Sequence, residues 1–146
     1  INPKKVALMP FKFRGVKPKL MVQKGDEVSA GTPLFFDKNK PEIKWASPMG
    51  GIVNDIQIGA RRVIEKIEVD SINGRENSVL AREPLNLENA DGKTVKKYIL
   101  DSNVFPLIRQ RPFNKIPDPN IKPRDIFISG VGSAPLAADI GYLISQ

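Results

Sequence analysis

The first half of the chain alternates short apolar runs with turn-forming residues. Glycine, proline or polar clusters separate the runs, as is typical of short strands joined by turns. Six runs predict strands, at 4–9, 19–23, 34–36, 43–46, 52–56 and 62–69, and residues 28–30 lead into a turn at 31–33. The 13 prolines and 11 glycines argue against a helical bundle. Residues 1–72 are therefore predicted to form a small barrel or sandwich.

The second half has a different pattern. A helix is predicted over 94–100, and Asn103 is expected to cap a second short helix that turns Leu107 and Ile108 inward. Four prolines at 112, 117, 119 and 123 predict an extended linker. The apolar run 125–130 predicts a buried strand.

Two glycine-containing patterns in the first half carry the most information. They are V-x-x-G-D-x-V-x-x-G-x-x-L over 22–34 and A-S-P-x-G-G-x-V-x-x-I over 46–56. Gly25 and Gly31 permit tight reversals, and Asp26 can accept bonds from turn amides. The apolar positions of the first pattern are expected to be buried: Val22, Val28 and Leu34. Together the patterns resemble the barrel-sandwich hybrid fold of biotinyl and lipoyl carrier domains.

That resemblance leaves a carrier function open. Carrier domains bear their prosthetic group on a hairpin lysine, and the turn between the two patterns reads D-K-N-K-P. Lipoate or biotin on Lys38 or Lys40 is therefore an alternative function. The stretch from Lys38 to Pro48 is about two residues longer than in such domains, and Pro41 would stiffen the hairpin, so a solvated lysine turn is the simpler interpretation.

Composition excludes much chemistry. The sequence has no cysteine and no histidine, which excludes disulfides, thiolate nucleophiles, Cys/His metal sites and imidazole bases. We therefore expect no catalytic residue and no metal site in this chain. The apolar runs are too short to span a membrane.

The excess of positive charge lies at the beginning of the chain. The net charge is +7, and residues 1–24 hold seven bases and no acid. Such an edge attracts anionic partners, although lysines also keep strand edges from pairing. The residues predicted to dock a partner are Lys4, Lys5, Lys12, Arg14, Arg109 and Arg111. Only Phe11 and Phe13 alternate with the bases, so no nucleic-acid partner is expected.

A glycine-rich turn follows the predicted strand near the end of the chain. The sequence G-V-G-S-A-P over 130–135 lacks the third glycine of a dinucleotide fingerprint, and Pro135 removes an amide donor. The simplest interpretation is a sharp turn from strand to helix. Gly130, Gly132 and Ser133 are nevertheless the residues here that would face a bound cofactor or ligand.

Taken together, these segments resemble the A subunit of the bacterial sodium-translocating NADH:quinone oxidoreductase. The strings R-x-R-P-F-x-K-x-P and P-L-A-A-D distinguish it best from the C subunit of the Rnf complex, which shares the barrel-sandwich beginning. The resembling stretches span nearly the whole chain: 5–8 (K-V-A-L), 18–34, 59–63 (G-A-R-R-V), 107–117 (L-I-R-Q-R-P-F-N-K-I-P) and 126–139 (I-F-I-S-G-V-G-S-A-P-L-A-A-D).

The resemblance implies a peripheral subunit on the cytoplasmic face of the bacterial inner membrane. The complex passes electrons from NADH to ubiquinone and exports sodium. Its flavins and iron–sulfur centre lie in other subunits, and the A subunit carries no tightly bound cofactor but has been linked to the quinone side. A quinone contact is therefore a candidate to which no residue is assigned. The expected partners are the other subunits.

The predicted fold class is thus mainly β, with three parts. Residues 1–72 form a barrel-sandwich hybrid domain, 73–123 a helical and proline-rich linker, and 124–146 the start of an α/β nucleotide-binding-like domain. Because the chain begins with isoleucine and the family extends beyond it, we expect a fragment of a longer subunit that is not catalytic by itself.

Overall fold

The structure is a computed structural model that describes residues 3–72 and 78–128. Within these ranges one helix, α1, spans Gly92–Asp101, and three short 3₁₀ helices span Pro10–Lys12, Ala60–Arg62 and Phe105–Leu107. Seven strands precede α1: β1 (Lys5–Leu8), β2 (Pro18–Leu20), β3 (Glu27–Val28), β4 (Pro33–Asp37), β5 (Lys40–Ala46), β6 (Gly51–Ile58) and β7 (Ile64–Asp70). Each of the six predicted runs thus contains at least part of a strand, and β3 lies in a stretch that was not predicted as one.

The strands form two antiparallel sheets. One has the order β1-β7-β6-β3 and the other the order β2-β4-β5. Alternate residues are buried over the second half of β5 and of β7, as the period of two requires, whereas β4 buries the adjacent residues Leu34 and Phe35 next to a register shift. The mainly β fold class is therefore confirmed.

The core lies between the two sheets. Leu34, Phe35, Val53 and Ile67 are fully buried there. The Phe35 ring stacks on Trp45 with centroids 4.8 Å apart. Apolar side chains of both sheets thus share one interior, whose buried members are Val28, Leu34, Phe35, Ile43, Trp45, Met49, Val53, Ile64, Ile67, Val69 and Phe105.

The two glycine patterns meet in this fold. Gly25 and Gly31 have φ angles of 95° and 93°, which side chains other than glycine rarely adopt. The Gly25 N–H donates to the carbonyl oxygen of Val53 over 2.8 Å, and the Gly31 N–H donates to that of Ser47 over 2.8 Å. Asp26 accepts from the Gln23 N–H as predicted. The reversals of the first pattern therefore bond directly to the second.

Gly51 allows β6 to approach β7 closely. A Cβ atom built on Gly51 would overlap the carbonyl oxygen of Asp70, far inside van der Waals contact. Glycine at position 51 is therefore required by the close packing of β6 against β7, in addition to any role in the turn before β6.

Residues after the sandwich pack back onto it. Ala30 pairs with Val79 in an isolated parallel bridge, in which the Ala30 N–H donates to Ser78 and the Leu80 N–H donates to Ala30, both over 2.8 Å. Phe105 is only 6% exposed and belongs to the core of the sandwich. The segment predicted as a linker therefore contributes to the first domain.

The prediction that Asn103 caps the beginning of a second helix is wrong. The φ angle of Asn103 is 59°, and the N–H groups of Asn103 and Val104 donate to the carbonyls of Leu100 and Ile99, over 3.0 and 3.4 Å. These two bonds are those of a Schellman motif, so Asn103 ends α1. Asp91 caps its beginning, where its side chain accepts from the Thr94 N–H over 2.8 Å.

Three further local predictions are wrong. Leu107 and Ile108 are 78% and 42% exposed, because Phe105 and Pro106 take the inward positions. Residues 125–128 form no strand, and the side chains of 126–128 are exposed, because no other described strand pairs with them. The strand predicted from 62 begins at Ile64, since Ala60–Arg62 form a turn.

Candidate functional site

The first base of β1 is engaged within its own sheet. Lys5 Nζ lies 3.4 Å from Glu68 and 3.5 Å from Asp70, which face it from β7. The hydrogen bond to Glu68, and next the charge of Asp70, raise the pKa of Lys5. Chiefly Lys66, and also Lys5, lower the pKa of Glu68. Lys5 is thus largely balanced by its own carboxylates.

The other predicted docking bases of the first segment are exposed. Lys4 precedes β1, whereas Lys12 and Arg14 lie in the connection that follows it. β1 is an edge strand of its sheet, so Lys4 lies at one border of the sandwich, whereas Lys12 and Arg14 follow the end of that strand. Their use in docking stays a prediction.

Arg109 and Arg111 lie on a second exposed surface, which we call the linker patch. Its apolar members are exposed as well, with Leu107 at 78% and Phe113 at 67%. A tight loop holds it, in which the Gln110 N–H donates to the Lys115 carbonyl over 2.7 Å. The linker patch comprises Leu107, Ile108, Arg109, Arg111 and Phe113. Arginine beside exposed aromatic and aliphatic side chains is the composition of a protein interface.

The two lysines of the carrier alternative differ in environment. Asp37 pairs with Lys40 across the β4–β5 hairpin, so Lys38 lies in the two-residue turn and is exposed. Lys40 Nζ lies 3.0 Å from the Asp118 carboxylate. The Asn120 N–H, and next Lys40, lower the pKa of Asp118. Lys40 therefore fastens the proline-rich segment to the hairpin.

A groove that sequence patterns did not reveal lies at one end of the sandwich. Its volume is about 300 Å³. The connection before β2, the β4–β5 turn and the β6–β7 turn converge there. Its cationic members are Lys17, Lys38 and Arg62. The remaining lining residues are apolar: Phe11, Val16, Pro18, Val63 and Ile64. We call this site the basic groove.

The turn beside the basic groove has an unusual sequence for its shape. Arg61 and Arg62 have φ angles of 55° and 59°, and the Val63 N–H donates to Ala60 over 3.2 Å. Two successive positive φ angles favour Asn-Gly in hairpin turns. Each arginine here costs about 1–2 kcal/mol of conformational energy. From the sequence only the adjacent pair Arg61-Arg62 after Gly59 was visible, and the positive φ angles that make this turn unusual are known only from the structure.

The remaining predictions concern cofactors and metals. Gly130, Gly132 and Ser133 lie outside the described residues. In the described ranges no group of three or more carboxylates is placed to hold a metal ion. None of the helices there has the length and apolar content needed to cross a bilayer.

Two family models match the chain in succession. Residues 1–72 match the NqrA N-terminal barrel-sandwich hybrid domain, and residues 90–146 match the NqrA second alpha/beta domain. The second match includes α1 and the proline-rich segment. Our division of the chain at residues 73 and 124 stays a prediction.

Curated relatives align with almost the whole chain. The A subunit of the Na(+)-translocating NADH-quinone reductase of Pseudomonas aeruginosa (strain UCBPP-PA14) is 37% identical over 142 residues, which are 97% of this chain and 32% of the relative. The same subunit of Saccharophagus degradans is 33% identical over 141 residues, with 97% and 32% covered. That of Yersinia pestis is 36% identical over 143 residues, with 96% and 31% covered.

The chain thus spans about a third of the length of these relatives. The resemblance inferred from the sequence is confirmed by two domain models of one family in the same order. Together with relatives that cover 96–97% of the chain, they show that the chain belongs to the NqrA family.

Proposed function

We propose that the chain is part of a peripheral subunit of a sodium-translocating NADH:ubiquinone reductase, in which it serves as a scaffold and docking element. The complex would pass electrons from NADH to ubiquinone and couple this transfer to sodium export. The observation that carries the proposal is the alignment of 97% of the chain with subunits of that name.

The residues of this chain are better suited to a structural role as a scaffold than to catalysis. Its sequence contains neither thiolate nor imidazole side chains, which iron–sulfur centres and proton transfer near neutral pH commonly use. The flavins, the iron–sulfur centre, NADH and ubiquinone would accordingly be bound in or with other subunits. Residues 130–133 are the segment in which a ligand contact would be sought first.

Two surfaces are suited to docking. The exposed bases Lys4, Lys12 and Arg14 would face acidic subunits or the anionic lipids at the cytoplasmic face of the inner membrane. The linker patch offers Arg109 and Arg111 beside exposed apolar side chains. Lys5 contributes less than these, because Glu68 and Asp70 already balance its charge.

Purification from membranes tests the function. A subunit that contains this chain would carry an affinity tag and be isolated from detergent-solubilised bacterial membranes. We expect NADH-dependent ubiquinone reduction that sodium stimulates to elute with the tag. If the tagged subunit eluted by itself, with all such activity elsewhere, the proposal would be contradicted. If the activity does elute with the tag, cross-linking from Lys4 and Lys12 in the intact complex would identify the neighbouring subunits.

The carrier alternative predicts a different result. Lys38 is exposed in a hairpin turn, as a modified lysine must be, whereas Lys40 pairs with Asp118. We expect the intact mass of the protein to remain unmodified after expression with lipoate or biotin ligase. An added acyl mass on either lysine would favour a carrier domain instead.

A further inference from the structure

The basic groove has two properties that the proposed function does not use. Its cations come from three separate connections, and no carboxylate is among the residues that line it. Two of its apolar members are open to solvent, with Phe11 56% and Val63 45% exposed. Positive charge around an exposed apolar recess is complementary to a ligand that is anionic and has an apolar part.

We propose that the basic groove binds an extended acidic segment of another protein that inserts one apolar side chain. This inference rests on the proposed function, because that function supplies the partner subunit. The carboxylates of the segment would lie near Lys17, Lys38 and Arg62. Its apolar side chain would contact Phe11 and Val63.

Other occupants fit the groove less well. A small inorganic anion would use the cations and leave the apolar surface exposed. A lipid bilayer is penetrated by protruding apolar side chains, whereas Phe11 and Val63 here line a recess. A peptide with alternating carboxylates and an apolar side chain satisfies both the charge and the recess.

The neighbouring turn supports a role beyond folding. Arg61 and Arg62 occupy positions that favour Asn-Gly, yet only Arg62 lines the groove. Strained backbone conformations cluster at binding sites and switch regions. The pair also offers a matched control, since Arg61 shares the strain and the charge but is not among the lining residues.

Photo-cross-linking in the complete complex tests this inference. Phe11 would be replaced by benzoylphenylalanine, and the complex would be purified by its NADH-dependent quinone reductase activity before irradiation. We expect an adduct with an acidic stretch of another subunit. Arg62→Gln should lower the yield of that adduct about two- to fivefold, and Arg61→Gln should leave it unchanged.

The other outcomes overturn the proposal. An adduct with lipid would assign the groove to the membrane, and no adduct would leave it without this partner. An equal loss in both arginine variants would mean that the groove charge is not responsible. If the complex assembles and is active but shows one of these three outcomes, only the inference about the basic groove is wrong. If no complex forms, the proposed function itself is wrong.

A second measurement keeps the proposal testable if the modified residue disturbs the fold. The unmodified protein would be titrated with a synthetic peptide in which aspartates and glutamates flank one leucine. Amide NMR shifts should change around Arg62 and Lys38. Inorganic phosphate and phosphatidylserine vesicles should change them less. Equal or larger shifts with either of these would contradict recognition of a peptide.

Discussion

The side-chain amide nitrogen of Asn103 donates a hydrogen bond of 3.0 Å to the main-chain carbonyl oxygen of Gly31. One residue thus ends α1 and also holds the second glycine reversal of the sandwich. Asn103 is 7% exposed, so water cannot readily replace this contact. The bond joins two segments that lie 72 residues apart in the chain.

Asn103→Ala should lower the free energy of unfolding by about 2 kcal/mol. Loss of the hydrogen bond accounts for about 1 kcal/mol, and the positive φ angle that alanine disfavours accounts for about the same. Asn103→Gly should lose only the first contribution. Urea denaturation followed by circular dichroism measures both variants. Equal losses in the two would show that backbone strain is irrelevant at this position.

Phe105→Ala should destabilise the sandwich although the residue lies outside 1–72. Removing a buried phenylalanine side chain costs about 3–5 kcal/mol. Leu107→Ala is the control, because Leu107 is 78% exposed and should change stability by less than about 0.5 kcal/mol. Thermal unfolding monitored by Trp45 fluorescence compares them. Unchanged unfolding of the Phe105 variant would mean that this segment does not support the core.

Gly51→Ala should destabilise the protein by several kcal/mol, since the added methyl group would overlap the carbonyl oxygen of Asp70. Gly92→Ala is the matched substitution, because nothing lies within 4 Å of its Cβ position at the beginning of α1. That variant should be neutral or up to about 1 kcal/mol more stable. Urea unfolding midpoints distinguish them, and similar midpoints would argue against the close approach of β6 and β7.

The ion pair that attaches the proline-rich segment to the β4–β5 hairpin should weaken at acid pH. The pKa of Asp118 is lowered in the folded state by the Asn120 N–H and by Lys40. The stabilisation is therefore complete above the ordinary value of 3.8 and is lost as the pH falls through the lower folded-state pKa.

Carboxyl NMR titration measures this effect directly. Asp118 should titrate below 3.8, and Lys40→Gln should raise its pKa part of the way, because the Asn120 bond remains. Lys122→Gln removes an exposed lysine of the same segment and should leave the titration unchanged. Titration of Asp118 at its ordinary value in the unmodified protein would exclude the ion pair in solution.

Replacement of Arg61 and Arg62 by Asn and Gly should stabilise the β6–β7 hairpin. These residues adopt the positive φ angles of the turn at little cost, so removing a cost of about 1–2 kcal/mol at each of the two positions should give a gain of about 2–4 kcal/mol. Differential scanning calorimetry measures the gain, with the double lysine variant as the control that keeps the charge. A lower melting temperature would show that the arginine side chains stabilise the fold.

The local patterns predicted the strands and reversals well, for a physical reason. Positive φ at Gly25 and Gly31 and the alternation within β5 and β7 are properties of neighbouring residues, and they need no knowledge of distant contacts. The bond from Gly31 to Ser47 follows once both patterns are placed in one fold.

Predictions that depended on tertiary context were wrong or missing. The Schellman bend at Asn103 changes the direction of the chain, so Phe105 turns inward in place of Leu107. The basic groove combines Phe11, Lys38 and Arg62, which no single stretch of sequence brings together. Only the folded sandwich shows that their connections end at the same place.

The bridge between Ala30 and Val79 determines where tension applied from the C-terminal side of the chain would first act on the first domain. Ser78 and Leu80 bond to both main-chain groups of Ala30, only one residue before the Gly31 reversal. Tension from a moving neighbour on the C-terminal side would therefore load these bonds and the buried Phe105 before it reached β7. The sandwich and the segment after it would yield together, so the mechanical unit extends beyond the residues that match the first domain.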